Sequence, residues 1–308
     1  MFFIAGGTGF IGSHLLRALK TTDFKIRCLV RNIKTSDYCK SSGFDAVQGD
    51  ITDRESLKGK LDGCDIAVHL VGIIEEKGDM TFQKVHVEGT KNLVYEAKKA
   101  GLRHIFYQSA LGASLSSNSA YQRTKAEAEE IVKESGIPFT IFRPSLVIGD
   151  RDGFTEKLRE LIALGPVVPV PGAGNARLQP VYIGDWIKCF FTIFSNPLRI
   201  ADNASRIYDI GGPEHLTYNA ILRQLMDAMG LSKKIAHIPI GLMKASLPLA
   251  GISRKIGALL GKNIPSVTAE QLELLQIDNI CDIDSVEKRF GFKPIAYKEA
   301  LTLFIRPK

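Results

Sequence analysis

A tyrosine and a lysine four residues apart are suited to proton transfer. Tyr121 and Lys125 enclose the segment Tyr-Gln-Arg-Thr-Lys, and this spacing places the phenol and the ammonium on one face of a helix. A phenol normally titrates near pH 10, but a nearby lysine and the positive end of a helix dipole both favour the phenolate. Such a tyrosine suits proton transfer coupled to hydride transfer at a carbonyl or alcohol. Because the pattern also occurs by chance, an ordinary amphipathic helix start is the alternative.

Other polar residues are candidates for supporting roles. Ser109 follows the apolar run at residues 104–108 and is placed to donate a hydrogen bond to a substrate oxygen. The six histidines show no H-x-x-x-H spacing, so the sequence predicts no metal site. His69 and His86 are the two that we expect near a cofactor, with a purely structural histidine as the alternative for each.

A glycine-rich turn close to the N-terminus has the pattern of a dinucleotide-binding site. Glycines at positions 7, 9 and 12 form G-x-G-x-x-G between a predicted strand and a predicted helix. Glycine permits the sharp turn and the close approach of backbone to a pyrophosphate, and the helix N-terminus favours negative charge. A plain glycine-rich turn is the alternative, but the strand–turn–helix context favours dinucleotide binding. The residues expected to bind it are Gly6, Gly7, Thr8, Gly9, Phe10, Ile11 and Gly12.

The residues after the second and third strands bear on which dinucleotide is bound. Arg31 comes 19 residues after Gly12 and is followed by Asn32 and Lys34. A guanidinium at this place can bind a 2′-phosphate, which predicts NADP(H), with NAD(H) as the alternative if Arg31 is only a solvated strand end. Asp50, followed by Ile51, suits a contact with the adenine amino group. A helix cap for the segment that follows is the alternative for Asp50.

The order of predicted elements positions these residues at one edge of a sheet. Strands are predicted at 2–5, 25–30, 45–48, 65–71, 104–108 and 139–143, and helices at 10–20, 81–100 and 121–135. This alternation predicts an α/β fold with a doubly wound parallel Rossmann sheet. Residues 166–174, rich in proline and glycine, are predicted to be a loop. A helix is predicted at 185–196 with Trp186 as a packing residue, and a strand at 206–210.

These elements divide into two predicted domains. Residues 1–150 and 178–212 form the predicted NAD(P)-binding Rossmann domain, and residues 151–177 and 213–308 form a smaller, mainly helical domain that binds substrate or acts as a lid. The segment 240–262 is apolar with four basic residues. It is expected to be a lid over the substrate pocket, with peripheral membrane contact as the alternative, in which case a lipid-like or quinone-related substrate follows.

Composition excludes several classes of protein. The chain has 308 residues, of which 45% are hydrophobic and 24% charged, which excludes a disordered or collagen-like chain. No run approaches 18 consecutive apolar residues, so no transmembrane segment is predicted. The five cysteines form no C-x-x-C pair, which predicts a reducing, cytoplasmic location. The net charge of +7 is dispersed, so nucleic-acid binding is not expected.

Taken together, these residues resemble the short-chain dehydrogenase/reductase superfamily of the extended or atypical type. The glycine turn, Ser109 and the Tyr121/Lys125 pair carry the resemblance, and further matches run along most of the chain. The set is most similar to the branch that contains the NADPH-binding accessory subunit of respiratory complex I and its bacterial relatives. Those further matches are 69–72 (His-Leu-Val-Gly), 85–90 (Val-His-Val-Glu-Gly-Thr), 143–145 (Arg-Pro-Ser), 179–185, 210–213 and 290–294.

The resemblance implies both a fold and roles for individual residues. It implies a seven-stranded sheet, Tyr121 as acid/base, Lys125 as its electrostatic and ribose-binding partner, and Ser109 as substrate orienter. It also implies that the cofactor contacts Leu70, Val71, Gly72, Ser109, Tyr121, Lys125, Arg143, Pro144 and Ser145.

Two main function classes follow from these observations, ahead of a redox-sensing regulator that reports the NADP/NADPH ratio. The first is an NADPH-preferring oxidoreductase, or an epimerase- or dehydratase-like enzyme, acting on a small molecule. The second is a non-catalytic NADPH-binding assembly or accessory protein linked to complex I or quinone metabolism. The spacing of only 12 residues between Ser109 and Tyr121, which is short for an extended member, keeps the second class open. No motif names the substrate or the oligomeric state.

Overall fold

The chain divides into two compact units. The computed structural model describes residues 1–32, 39, 43–246 and 267–306. Unit 1 comprises Met1–Pro144 and Ile187–Asp209, and unit 2 comprises Ser145–Trp186 and Ile210–Lys308. The limits expected for the functional domains, 1–150 with 178–212 and 151–177 with 213–308, stay predictions.

Unit 1 is built on a seven-stranded sheet with the order β11-β6-β5-β4-β1-β2-β3. Pairing is parallel from β3 through to β6. Strands next to each other in space but not in sequence, as β1 and β4 are, make the sheet doubly wound. The predicted Rossmann fold is therefore confirmed. The strands are β1 (Phe2–Ala5), β2 (Ile26–Val30), β3 (Asp45–Gln48), β4 (Ile66–His69), β5 (His104–Gln108), β6 (Phe139–Pro144) and β11 (Arg206–Ile210).

The helices of unit 1 follow the predicted alternation with one departure. The predicted helix at 81–100 begins as a π-helix over Gln83–Glu88 and continues as an α-helix from Gly89. Single π-turns inside helices often occur at functional sites, and periodicity alone did not predict this one. The helices are α1 (Phe10–Leu19), α2 (Arg54–Leu57), α3 (Gly89–Lys99), α4 (Ala120–Lys133), α6 (Ile183–Phe194, which continues from unit 2) and α7 (Pro197–Asp202).

Side chains of successive strand residues point to opposite faces of the sheet, and helices pack on both faces. On one face, Phe106 and Phe142 meet edge to face at 4.9 Å between ring centroids, and Phe106 lies 5.2 Å from Phe190 of α6. Trp186 is fully buried, as predicted for a packing residue. On the other face, one core cluster joins the strands to α2, α3 and α4 through Phe3, Ala67, Ile105, Ile141, Leu57, Leu93 and Ala128.

Unit 2 combines short strands with helices. The prediction of a loop at 166–174 is wrong, because residues 167–171 form β8 and pair in parallel with β13. Val168 and Val170 are buried at alternate positions, and a two-stranded ribbon leaves edges on which proline is tolerated. The elements are β7 (Val147–Ile148), α5 (Gly153–Leu164), β8 (Val167–Pro171), β9 (Arg177–Leu178), β10 (Val181–Tyr182), β12 (Leu216–Thr217), α8 (Tyr218–Ala228), β13 (Lys234–Ile238), α9 (Ile240–Ser246), α10 (Ala269–Leu274), α11 (Ser285–Phe290) and α12 (Tyr297–Phe304).

The segment 240–262 is described only in part. Residues 240–246 form α9, in which Leu242 is exposed and Lys244 pairs with Glu273 at 2.6 Å. Residues 247–262 lie outside the described residues, so the lid and the membrane contact both stay predictions. No helix in the described part of the chain has the length and apolar character needed to span a bilayer.

The structure shows the state of the cysteines and the arrangement of the side chains that bind metals. All five cysteines are free thiols, and four of them are buried. Within residues 1–32, 39, 43–246 and 267–306, no group of three or more His, Cys, Asp or Glu side chains is arranged to hold a metal ion.

Gly12 determines how closely α1 approaches the first strand. A Cβ atom at Gly12 would lie 2.2 Å from the carbonyl oxygen of Gly6 and 2.6 Å from Cα of Gly7. Both neighbours are backbone atoms, which cannot rotate away as a side chain can. The start of α1 and the turn before it therefore pack directly against each other, and any side chain at this position would separate them.

We predict that Gly12→Ala lowers the unfolding temperature and weakens NADPH binding. The added methyl group forces a backbone shift, for which the expected cost is about 1–3 kcal/mol. Differential scanning calorimetry and a fluorescence titration with NADPH measure the two effects. Gly153→Ala is the matched control, because a Cβ atom at Gly153, the first residue of α5, meets nothing within 4 Å. Equal unfolding temperatures for the two variants would contradict this account.

Candidate active site

The glycine turn forms a cradle of backbone atoms at the carboxyl edge of the sheet. Gly6 has a φ of +89°, which favours glycine, and a Cβ atom there would lie 2.8 Å from the backbone of Leu70 and Val71. Thr8 and Gly9 are exposed. Gly9 is the N-cap of α1, and no side chain caps this end. The helix N-terminus is thus open to an anionic ligand, and the cradle fits a pyrophosphate.

The predicted 2′-phosphate residue lies in an open groove. Arg31 follows β2 directly and is exposed, as is Asn32. The backbone oxygen of Arg31 accepts a 3.5 Å hydrogen bond from Gln48 at the end of β3. Lys34, which is close to Arg31 in the sequence, lies outside the described residues. The groove is lined by Arg31, Gln48, Gly49, Asp50, Glu55, Ser56, Lys58 and Lys60.

Asp50 organises the turn after β3 and does not cap a helix. Its Oδ1 accepts hydrogen bonds of 2.9 Å from both the backbone N–H and the hydroxyl of Thr52. The cap of α2 is Asp53, which accepts from the backbone of Glu55. Asp50 and Arg31 line the same groove. The contact of Asp50 with adenine stays a prediction. Ile51 is buried, and its carbonyl accepts a hydrogen bond from Asn92.

Tyr121 and Lys125 lie on the first two turns of α4. Ser119 caps this helix by accepting from the backbone N–H of Gln122. The Lys125 ammonium is buried and donates a 2.9 Å hydrogen bond to the carbonyl of Gln108. Burial lowers the pKa of Lys125 to about 8, and the nearby Glu129 carboxylate opposes that shift. A lysine with this pKa gains or loses its charge close to neutral pH.

The loop after β4 joins the glycine cradle to the Tyr121/Lys125 helix. Leu70 and Val71 touch Gly6, as described above. Gly72 is exposed to solvent, and a Cβ atom there would lie 3.0 Å from Nζ of Lys125. A side chain at this position would press on the ammonium, so glycine allows its close approach to this backbone. The structure thus brings together the glycine turn, the residues 70–72 and Lys125 along one edge of the sheet.

The π-helix places His86 beside Tyr121. The two rings meet edge to face with centroids 5.6 Å apart, and Phe82 stacks against His86 at 5.4 Å. Burial lowers the pKa of His86 to about 2 and that of His69 to about 3, and the charge of Lys125 adds to both shifts. Both histidines are therefore neutral. Sequence reasoning did not identify Phe82, whose only signal was its place one helical turn before His86.

Ser109 is held by a residue that sequence reasoning missed. Its hydroxyl donates a 2.5 Å hydrogen bond to Glu129, which also binds the Arg143 guanidinium through Nε at 2.8 Å and Nη2 at 2.5 Å. Glu129 is fully buried on α4, four residues after Lys125. The available signal was a carboxylate between Ala128 and Val132 on the apolar face of that helix. The role of Ser109 as substrate orienter stays a prediction, and it requires this bond to be broken or shared.

The Arg-Pro-Ser segment is divided between the two units. Arg143 and Pro144 belong to unit 1, where the carbonyl of Pro144 accepts from the backbone of Leu111. Ser145 belongs to unit 2, where its hydroxyl donates a 2.7 Å hydrogen bond to the carbonyl of Asn279. Arg143 is occupied by Glu129, so it acts here as a structural partner of α4. The contacts of this segment with a cofactor stay predictions.

Curated proteins of related sequence include reductases and a respiratory-chain subunit. The chain is 27% identical to a ceramide reductase of Caulobacter vibrioides, over 77% of this chain and 73% of that protein. It is 24% identical to NADH dehydrogenase (ubiquinone) 1 alpha subcomplex subunit 9, mitochondrial, of Arabidopsis thaliana, over 96% of this chain and 76% of that one. A reductase and a subunit of an NADH dehydrogenase thus both occur among the relatives.

Solved structures agree on the fold. An NADPH-dependent quinone oxidoreductase of Escherichia coli superposes with a TM-score of 0.72 at 18% identity, covering 98% of this chain and 99% of that one. The model of the family described as NAD(P)H-binding matches residues 6–160, just over half of the chain. The chain therefore belongs to the family described as NAD(P)H-binding, and NAD(P)H is its cofactor.

Proposed function

We propose that this protein is an NADPH-preferring oxidoreductase that reduces a carbonyl compound, with Tyr121 as the proton donor. The observation that carries the proposal is the buried Lys125 ammonium, which lies against Gly72 and one helical turn from Tyr121. A cation in a low-dielectric site is expensive to bury. A function that uses the charge beside a phenol explains why it is retained.

The residues of unit 1 supply binding and proton transfer. The cradle at Gly6–Gly12 would hold the pyrophosphate, and Arg31 would hold the 2′-phosphate. When bound, NADPH would supply the hydride that adds to the carbonyl carbon of the substrate. Tyr121 donates its proton to the carbonyl oxygen, which becomes the hydroxyl of the alcohol product. Lys125 stabilises the phenolate that remains until a proton from solvent replaces the one donated.

We further propose that the substrate is lipid-like. Ile74 and Leu115 are large apolar side chains, each 58% exposed, on the loops that follow β4 and β5. Ligands of open α/β sheets bind outside the carboxyl ends of the strands, so an apolar molecule would meet these side chains. The names of two similar proteins, a ceramide reductase and a quinone oxidoreductase, also refer to apolar compounds.

A non-catalytic NADPH-binding accessory protein is the second candidate. The observation that favours it is the Ser109 hydroxyl, which Glu129 engages in the structure. The similarity to the Arabidopsis complex I subunit extends over 96% of this chain and is consistent with it. Such a protein would retain NADPH without consuming it.

We predict that Tyr121→Phe abolishes turnover and leaves NADPH binding intact, because only the transferable proton is removed. NADPH oxidation is followed by absorbance with menadione, a ketosteroid and a keto-sphingoid base as probes, and NADPH binding is followed by fluorescence. Tyr95→Phe is the control, since Tyr95 is an exposed residue of α3 stacked with Arg54.

Two outcomes separate the candidates. Unchanged turnover in Tyr121→Phe would refute Tyr121 as proton donor. Bound NADPH that copurifies with the wild-type protein, exchanges slowly and is consumed with none of the probes would favour the accessory function.

We predict that Arg31→Asp weakens NADPH binding by about ten- to a hundredfold, as expected when one charge-assisted hydrogen bond is lost. NADH binding should weaken little, because NADH has no 2′-phosphate. Fluorescence titrations with each dinucleotide measure both constants. Arg17→Asp, on the exposed side of α1, changes the net charge equally and serves as control. Tighter binding of NADH than NADPH by the wild type would show that Arg31 has been misinterpreted.

We predict a pH-dependent stability difference between the wild type and Lys125→Met. The pKa of Lys125 falls from 10.5 to about 8 on folding, so the unfolded state binds more protons between these values. Wild-type stability should therefore rise relative to the variant from pH 8 to 10.5, by up to about 3 kcal/mol. Urea unfolding of both proteins across this range measures it. A constant difference would mean that Lys125 titrates normally.

A further inference from the structure

His86 connects three separate segments of unit 1. Its Nδ1 lies 3.0 Å from the hydroxyl of Thr124 on α4, and its Nε2 lies 3.1 Å from both the backbone nitrogen and the backbone oxygen of Ile73. Its own carbonyl accepts a hydrogen bond from Thr90 on α3. The side chain is fully buried. The imidazole therefore spans the space between the loop after β4 and the first turns of α4.

The surrounding hydrogen bonds select one tautomer of this ring. The Thr124 hydroxyl donates to the carbonyl of Ala120 at 2.8 Å, which leaves its oxygen as the acceptor for an Nδ1–H of His86. Nε2 then accepts from the N–H of Ile73. This arrangement satisfies three hydrogen bonds, whereas the other tautomer would leave the Ile73 N–H and the Ala120 carbonyl without these partners. Neutral His86 with its proton on Nδ1 is the form that fits.

The segments joined by His86 are those that must be aligned for proton transfer. Thr124 lies between Tyr121 and Lys125 on α4, and Ile73 follows Gly72, which rests on the Lys125 ammonium. Phe82 also contacts Tyr121 edge to face at 5.7 Å. The phenol is thus bordered by two rings from the π-helix segment, and one of these rings is anchored at both nitrogens.

We propose that His86 is a positioning residue, which holds the first turns of α4 at a fixed distance from the loop ending at Ile73 and so orients Tyr121. This inference rests on the proposed function and extends it to a residue that does not itself exchange a proton with the substrate. It predicts that the two hydrogen bonds of the imidazole, rather than its charge, are needed for turnover.

The hydrogen bonds themselves can be tested without a substrate. Nitrogen NMR of isotope-labelled histidine, assigned with His86→Gln, should show a neutral ring protonated at Nδ1 that does not titrate in the neutral range. In His86→Phe, amide hydrogen exchange at Ile73 should accelerate at least about tenfold, as expected for an amide that loses its acceptor. The amide of Leu111, which donates to the Pro144 carbonyl, should be unaffected. An Nε2–H tautomer, or unchanged exchange at Ile73, would overturn the proposal.

Kinetic measurements test whether the two hydrogen bonds of His86 are needed for the reaction. His86→Phe keeps an aromatic ring in contact with Phe82 and Tyr121 but removes both hydrogen bonds, and should lower kcat about 10- to 100-fold, in line with the cost of misplacing a catalytic group. KM and the NADPH dissociation constant should change little. His86→Gln, whose amide can accept from Ile73 and donate to Thr124, should restore most of kcat. Thr124→Val should lower kcat and add little to the effect of His86→Phe.

A second buried histidine–threonine pair provides the matched control. His104 on β5 lies 2.9 Å from the hydroxyl of Thr140 on β6, and both residues are buried. His104→Phe should reduce stability comparably and leave kcat unchanged. Equal loss of kcat in His104→Phe and His86→Phe would reduce His86 to a structural role. If none of the probes causes the wild type to oxidise NADPH, the proposed function fails. The tautomer of His86 and the exchange rate at Ile73 still decide whether His86 holds the loop and α4 together.

Discussion

The carboxyl edge of unit 1 depends on glycines that allow neighbouring groups to approach the backbone closely. Gly6 touches the backbone of Leu70 and Val71, Gly12 packs on the carbonyl of Gly6, and Gly72 lies over the Lys125 ammonium. These contacts tie β1, the start of α1 and the loop after β4 into one surface. A methyl group at Gly6 or Gly12 would lie 2.8 Å or 2.2 Å from backbone atoms and would separate the elements that meet there.

Burial gives the polar groups under this surface their properties. The Lys125 ammonium is removed from solvent, which lowers its pKa towards neutrality, and the same environment keeps His69 and His86 neutral. The charge of Glu129 opposes this lowering of the Lys125 pKa, and the same carboxylate pairs with the Arg143 guanidinium. A charged lysine is sustained here because one carboxylate and one backbone carbonyl compensate it.

The helix α4 carries two sets of side chains with different roles on different turns. Its first turns carry Tyr121 and Lys125 to the carboxyl edge, and its later turn carries Glu129, which fixes Ser109 and the end of β6. The helix is held at one end by the Ser119 cap and on its inner face by that buried carboxylate. This arrangement positions the phenol by structural interactions that do not themselves touch a substrate.

The sequence by itself determined the strand–helix alternation, the glycine turn and the Tyr121/Lys125 pair, because periodicity and spacing within one element express local geometry. Only the tertiary structure decided that Ser109 binds Glu129, that His86 lies against Tyr121 and that residues 167–171 form a strand. These partners are distant in the chain: 20 residues separate Ser109 from Glu129 and 38 separate His86 from Thr124. The low pKa of Lys125 likewise sums the burial contributed by several elements, which no local pattern contains.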